Sequence, residues 1–140
     1  MKRTVVVMSA VAQIATVALI ATVFESRVAA QGEQTATQFY MAYRAAFAKA
    51  AKVEELFPFM GAAQRAQVEK TPAAERPEMF KFIKELNSFS NVKVLKETKS
   101  ATGATLEVEG IAPDKSKATA TVEVIREGGA WKIGKESWKQ

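Results

Sequence analysis

The stretch Val124-Ile125-Arg126-Glu127-Gly128-Gly129-Ala130-Trp131-Lys132-Ile133 sets the topology of the C-terminal half of this chain. Paired glycines between runs of β-branched and aromatic residues signal a two-residue hairpin, because glycine adopts positive φ at both central turn positions without steric cost. Counting back from the turn pairs Arg126 with Trp131, Val124 with Ile133, Val122 with Lys135 and Ala120 with Ser137. These pairs share one face, since strand side chains alternate with a period of two. Val124, Ile133 and Trp131 are therefore expected at the centre of the buried side. Gly134 falls opposite Glu123 and is expected to mark a bulge or bend.

The alternation continues upstream. Lys117–Glu127 sets Ala118, Ala120, Val122 and Val124 against Thr119, Thr121 and Glu123. Gly103–Ile111 sets Leu106 and Val108 against Glu107 and Glu109, and in Asn91–Thr98 the residues Val92 and Val94 share a face. Over residues 35–90 the period is that of helices, and nine of the twelve aromatic side chains lie there. Thr35 and Gln38 have the spacing of a capping box, with Phe39, Tyr43, Phe47 and Ala50 following at helical intervals. Lys49 and Lys52 suit the carbonyl end of that helix. Pro58 and Gly61 predict a tight turn before a short second helix ending near Lys70. After a loop at Thr71–Arg76, Pro77 suits the first turn of a third helix. In it Met79, Phe82, Ile83 and Leu86 are expected to face the core, with Lys81, Lys84 and Glu85 opposite. Three helices on one face of a four-stranded antiparallel meander make an α+β domain.

Residues 1–30 read as an address. A basic start, Met1-Lys2-Arg3, precedes the uncharged run Thr4–Phe24, and the small residues Val28-Ala29-Ala30 precede Gln31. This is the pattern of a signal peptide cleaved after Ala30, which would place the 31–140 domain in the periplasm or outside the cell. The alternative is an uncleaved inner-membrane anchor, because Thr4–Phe24 is long enough to cross a bilayer. Only that alternative would give the protein a membrane partner.

Among the 140 residues there is no cysteine and no histidine. That excludes a disulfide framework, a cysteine nucleophile, a Ser-His-Asp triad and the usual zinc, haem and iron–sulfur ligand sets. No metal site and no cofactor is expected. The 20 basic residues against 15 acidic fall to 17 against 14 once Lys2, Arg3, Arg27 and Glu25 are set aside with the leader. The remaining charges are interleaved, as in Lys96-Glu97 and Arg126-Glu127. A nucleic-acid binder would cluster its cations on one face, so no nucleic-acid partner is expected.

The aromatic-rich first helix, the meander and the closing Gly128-Gly129-Ala130-Trp131-Lys132-Ile133 resemble the nuclear transport factor 2-like superfamily, which shares the cystatin-like α+β roll. The superfamily includes ketosteroid isomerases and small exported bacterial domains of unknown function, and the likeness is closest to the latter. It covers roughly Thr35 to Trp138. The chain departs from many members in having no strand between its early helices. The resemblance implies a cone-shaped roll whose open end can hold a small apolar molecule, or a module that binds a protein partner or homodimerises through its sheet.

The candidate ligand-binding residues are Tyr40, Tyr43, Arg126 and Trp131. The two tyrosines project from the helix that covers the sheet, and Arg126 has inward parity beside Trp131 near the hairpin tip. The alternative for each is packing: a phenol bonded to backbone, and a guanidinium stacked on an indole. Ketosteroid isomerase-like chemistry needs a carboxylate base together with a tyrosine donor. Asp114 sits in a turn, while Glu107, Glu109 and Glu123 carry outward parity. Glu136 shares the outward parity of Glu123 through its expected pairing with Thr121. No catalytic residue is therefore assigned. The expectation is an exported, non-catalytic binding or interaction module, with a small isomerase or lyase as the alternative.

Overall fold

In the computed structural model, which describes residues 34–140, Thr35 starts helix α1 (Ala36–Lys49). Its hydroxyl accepts from Gln38 N at 3.1 Å, and Gln38 Oε1 accepts from Thr35 N at 3.0 Å, completing the capping box. The expected leader, its cleavage after Ala30 and the alternative anchor lie outside the described residues. α1 buries Ala36, Phe39, Tyr40, Tyr43 and Phe47 along one face. Pro58 lies inside a 3₁₀ helix, Val53–Phe59, that buries Val53 and Leu56. Met60 then forms a parallel bridge with Ile133, and Gly61 N donates to Ile133 O at 3.1 Å. Helix α2 (Ala62–Lys70) buries no residue and is fixed at its start by Glu127, whose carboxylate accepts from Ala62 N.

Helix α3 (Arg76–Leu86) carries Pro77 in its first turn, as expected. Its core-facing side is a correction. Phe80 is the buried residue, Met79 and Ile83 are half-buried, and Phe82 and Leu86 remain 60% and 58% exposed. The apolar stripe is wider than the contact, and the helix is rolled so that Phe80 packs edge-on against Phe47, ring centroids 6.0 Å apart.

The sheet is an antiparallel meander of β1 (Ser90–Lys99), β2 (Gly103–Ile111), β3 (Lys117–Glu127) and β4 (Ala130–Lys139), in that order. Gly128 and Gly129 both have positive φ, as the hairpin requires. The helix-facing side carries small and branched residues: Ala104, Leu106, Val108, Ala120, Val122, Val124 and Ile133. The helices supply the bulk, with Phe39, Tyr40, Tyr43, Phe47 and Phe80 in the same core. The β2–β3 ladder follows simple alternation throughout, while the ladders to the two edge strands are interrupted.

Arg126↔Trp131 and Val124↔Ile133 pair as expected, and the register then shifts between Glu123 and Val124. Gly134 is the extra residue of a bulge. Lys135 pairs with Glu123, Glu136 with Val122, and Trp138 with Ala120. The expected pairs Val122–Lys135 and Ala120–Ser137 are therefore corrected, and so is the outward assignment of Glu136. A cause is visible at the edge, where Met60 and Gly61 occupy the free side of β4 at Ile133, immediately before the bulge. β1 behaves in the same way. A shift between Val94 and Lys96 leaves Leu95 unpaired and 58% exposed, and it turns Glu97 onto the rung of Leu106. One rung of the sheet thus runs Glu97, Leu106, Val122, Glu136, with a carboxylate turned to the helix side at each edge.

Candidate functional site

Both inward carboxylates meet α1. Glu97 sits at its start, accepting from Ala36 N at 3.2 Å and from Thr37 Oγ1 at 2.9 Å. It satisfies a free amide at the positive end of the helix, a structural role. Glu136 sits two turns further along. Its Oε1 accepts from Tyr40 Oη at 3.1 Å, from Arg44 Nη1 at 3.3 Å and from Trp138 Nε1. The side chains of Arg44 and Glu136 are only 9% and 11% exposed. Arg44 also donates from Nη2 to Asn87 O at 3.0 Å and lies over the Phe47 and Trp138 rings. The Trp138 indole in turn stacks on Phe89, centroids 3.9 Å apart.

This network ties α1, the end of α3, and β4 through one carboxylate oxygen. Burial, reinforced by the Glu136 charge, holds the Tyr40 and Tyr43 phenols well above the usual tyrosine range, so both remain protonated. Tyr40 donates to Glu136, not to backbone. Tyr43 makes no hydrogen bond among the described residues and packs against Tyr40, Phe47 and Phe59 at about 6 Å.

The other two candidates lie at the hairpin. Arg126 is exposed, with its guanidinium 4.0 Å from the Trp131 ring and Nη1 donating to Gly129 O at 3.1 Å. Trp131 is half-buried, not at the centre of the core, and its Nε1 donates to Gln34 O at 2.6 Å. The four residues form two pairs with different partners and not one site.

Open space lies elsewhere. A cleft of about 520 Å³ is bounded by α1, the end of α3 and the start of β1. That volume falls within the range of about 300–1,000 Å³ common for small-molecule sites. Met41, Ala45 and Ala48, one turn apart along α1, form one wall, with Phe89 and Val92 opposite. Arg44 and Lys84 also line the cleft, together with Asn87 and Ser88, and none of its lining residues is acidic. Sequence reasoning missed this site. The available signal was a second apolar row, Met41-Ala45-Ala48, beside the core row of α1, with a lone arginine between them.

Comparison with protein-family models, curated proteins and solved structures returns no match for this chain.

Proposed function

We propose that the protein is an exported, non-catalytic binding module of the nuclear transport factor 2-like kind that holds a small apolar molecule in the cleft between α1 and α3. The carrying observation is where the free apolar surface lies. The helix-facing side of the sheet is filled by Phe39, Tyr40, Tyr43, Phe47 and Phe80, whereas Met41, Ala45, Ala48, Phe89 and Val92 enclose open volume outside it. The isomerase alternative draws on the pairing of Glu136 with Tyr40, but a carboxylate oxygen that already accepts from three donors is a poor base. Tyr40, fully enclosed, spends its proton on that same oxygen.

The test is binding of a neutral fluorescent probe, N-phenyl-1-naphthylamine, to the parent and to Ala45→Trp. Ala45 is exposed, so the larger side chain fills the cleft without entering the core. Binding to the parent with at least a tenfold loss in Ala45→Trp is expected. Equal binding by both would place the ligand elsewhere. Export is checked by intact mass: a mature chain beginning at Gln31 is expected, and retention of residues 1–30 in a membrane fraction would make the protein an anchored one.

A further inference from the structure

We infer that the ligand of this cleft is a free single-chain amphiphile with a carboxylate head, anchored by Lys84 and lying along α1 with its tail toward Met41; the inference rests on the cleft reading above. Two cations line the cleft, and their charges are compensated differently. Arg44 is neutralised by Glu136. Lys84 has no carboxylate partner among the described residues. Its ammonium donates to Ala50 O at 2.8 Å and to Ala48 O at 3.3 Å, both at the carbonyl end of α1. Those dipoles fix its position but offset only about half a charge. Nζ also lies 5.6 Å from the Phe80 ring centroid, a contact that takes up no hydrogen bond to an oxygen or nitrogen acceptor, so of the ammonium's three protons one remains for a ligand.

The surroundings fit an anionic head. Asn87 Nδ2 uses one proton on Ile83 O at 2.9 Å and keeps the other. No acidic side chain lines the cleft, and the full charge of Lys84 outweighs the partial negative charge of the α1 carbonyl end. From Ala48 to Met41 the wall carries no further charge except the paired Arg44, over roughly 10 Å at 1.5 Å per helical residue. One charged end followed by an apolar trough matches a fatty carboxylate. A neutral molecule would use the apolar trough but leave the Lys84 charge unanswered, and a cationic amphiphile would meet Lys84 head-on.

The experiment measures affinity of the purified protein for octanoate, decanoate and dodecanoate, for dodecanol, and for dodecyltrimethylammonium, with Lys84→Gln alongside. Dodecanoate should bind about tenfold tighter than dodecanol, and the ammonium compound weakest. Each added methylene should tighten binding about fourfold until the tail passes Met41. In Lys84→Gln the preference for carboxylate over alcohol should vanish, with an unchanged circular dichroism spectrum showing that the variant is folded; a preference that survives in the folded variant would overturn the head-group assignment. Dodecanol binding as tightly as dodecanoate would overturn the head-group assignment while leaving the apolar cleft intact. Binding of neither dodecanoate nor the neutral probe would remove both readings. Lys84-dependent sedimentation with phosphatidylglycerol vesicles, without displacement by dodecanoate, would make the site a membrane contact and equally overturn the inference.

Discussion

Glu136 is the side chain on which most of the helix-to-sheet attachment converges. Three donors from α1 and β4 meet on its Oε1. Removing one partner of a nearly buried ion pair leaves the other charge uncompensated. Glu136→Ala should therefore cost about 3–5 kcal/mol in denaturant unfolding, and a loss below about 1 kcal/mol would mean that solvent already supports Arg44. The two tyrosines separate cleanly. Tyr40→Phe removes a hydrogen bond to a charged acceptor and should cost about 1.5–3 kcal/mol. Tyr43→Phe removes a hydroxyl with no partner among the described residues and should stay within about 0.5 kcal/mol. The phenols also predict an alkaline response. Their folded-state affinities for protons are raised, mainly by burial, so above pH of about 10 the unfolded chain releases these protons before the folded one does. Stability should fall as pH rises beyond that point. Because these are the only two tyrosines, phenolate absorbance should appear together with loss of circular dichroism. Phenolate signal in a chain that is still folded would show an open tyrosine.

The elements show how far a periodic reading carries. The capping box at Thr35, the hairpin at Gly128-Gly129, and the limits of β2 and β3 were all legible, because each depends on neighbours in sequence. The edge strands were not. Counting by twos is valid only up to the first inserted residue; β4 inserts one at Gly134, and β1 is shifted twice, between Ser90 and Lys93 and at Leu95. Gly134 is recognisable in the sequence as a candidate bulge, but simple alternation continued past it points Glu136 outward, and the inserted residue turns it in. The orientation of α3 failed for a different reason. Its apolar stripe spans Phe82, Leu86, Met79, Ile83 and Phe80, and helical spacing alone does not say which edge of a wide stripe meets α1. The bulge is open to a direct check. A Cβ at Gly134 would lie 3.0 Å from Ile125 Cγ2 and 3.3 Å from Glu123 O. Gly134→Val should destabilise by about 1–3 kcal/mol, whereas in an unbulged, solvent-facing strand the same change would be neutral or favourable.

Taken together, the chain builds its core and its cleft from the same helix. One face of α1 fills the sheet with aromatic rings, and the adjacent row lines open space against Phe89 and Val92. The candidate site was illegible beforehand because it has no motif. Its residues come from α1, α3 and β1, and they become neighbours only when Arg44 is drawn in by Glu136 and Asn87. Tyr40, Tyr43, Arg126 and Trp131 were the conspicuous polar and aromatic groups, and the structure gives each of the first, third and fourth an intramolecular partner. The most direct measurement is an amide chemical-shift titration with dodecanoate. Saturable shifts should cluster at Ala45, Ala48, Lys84, Ser88, Phe89 and Val92, leaving Leu106, Val122, Val124 and the Arg126–Trp131 hairpin unmoved. Shifts centred on the sheet interior or the hairpin, or none that saturate, would contradict a ligand site outside the aromatic core.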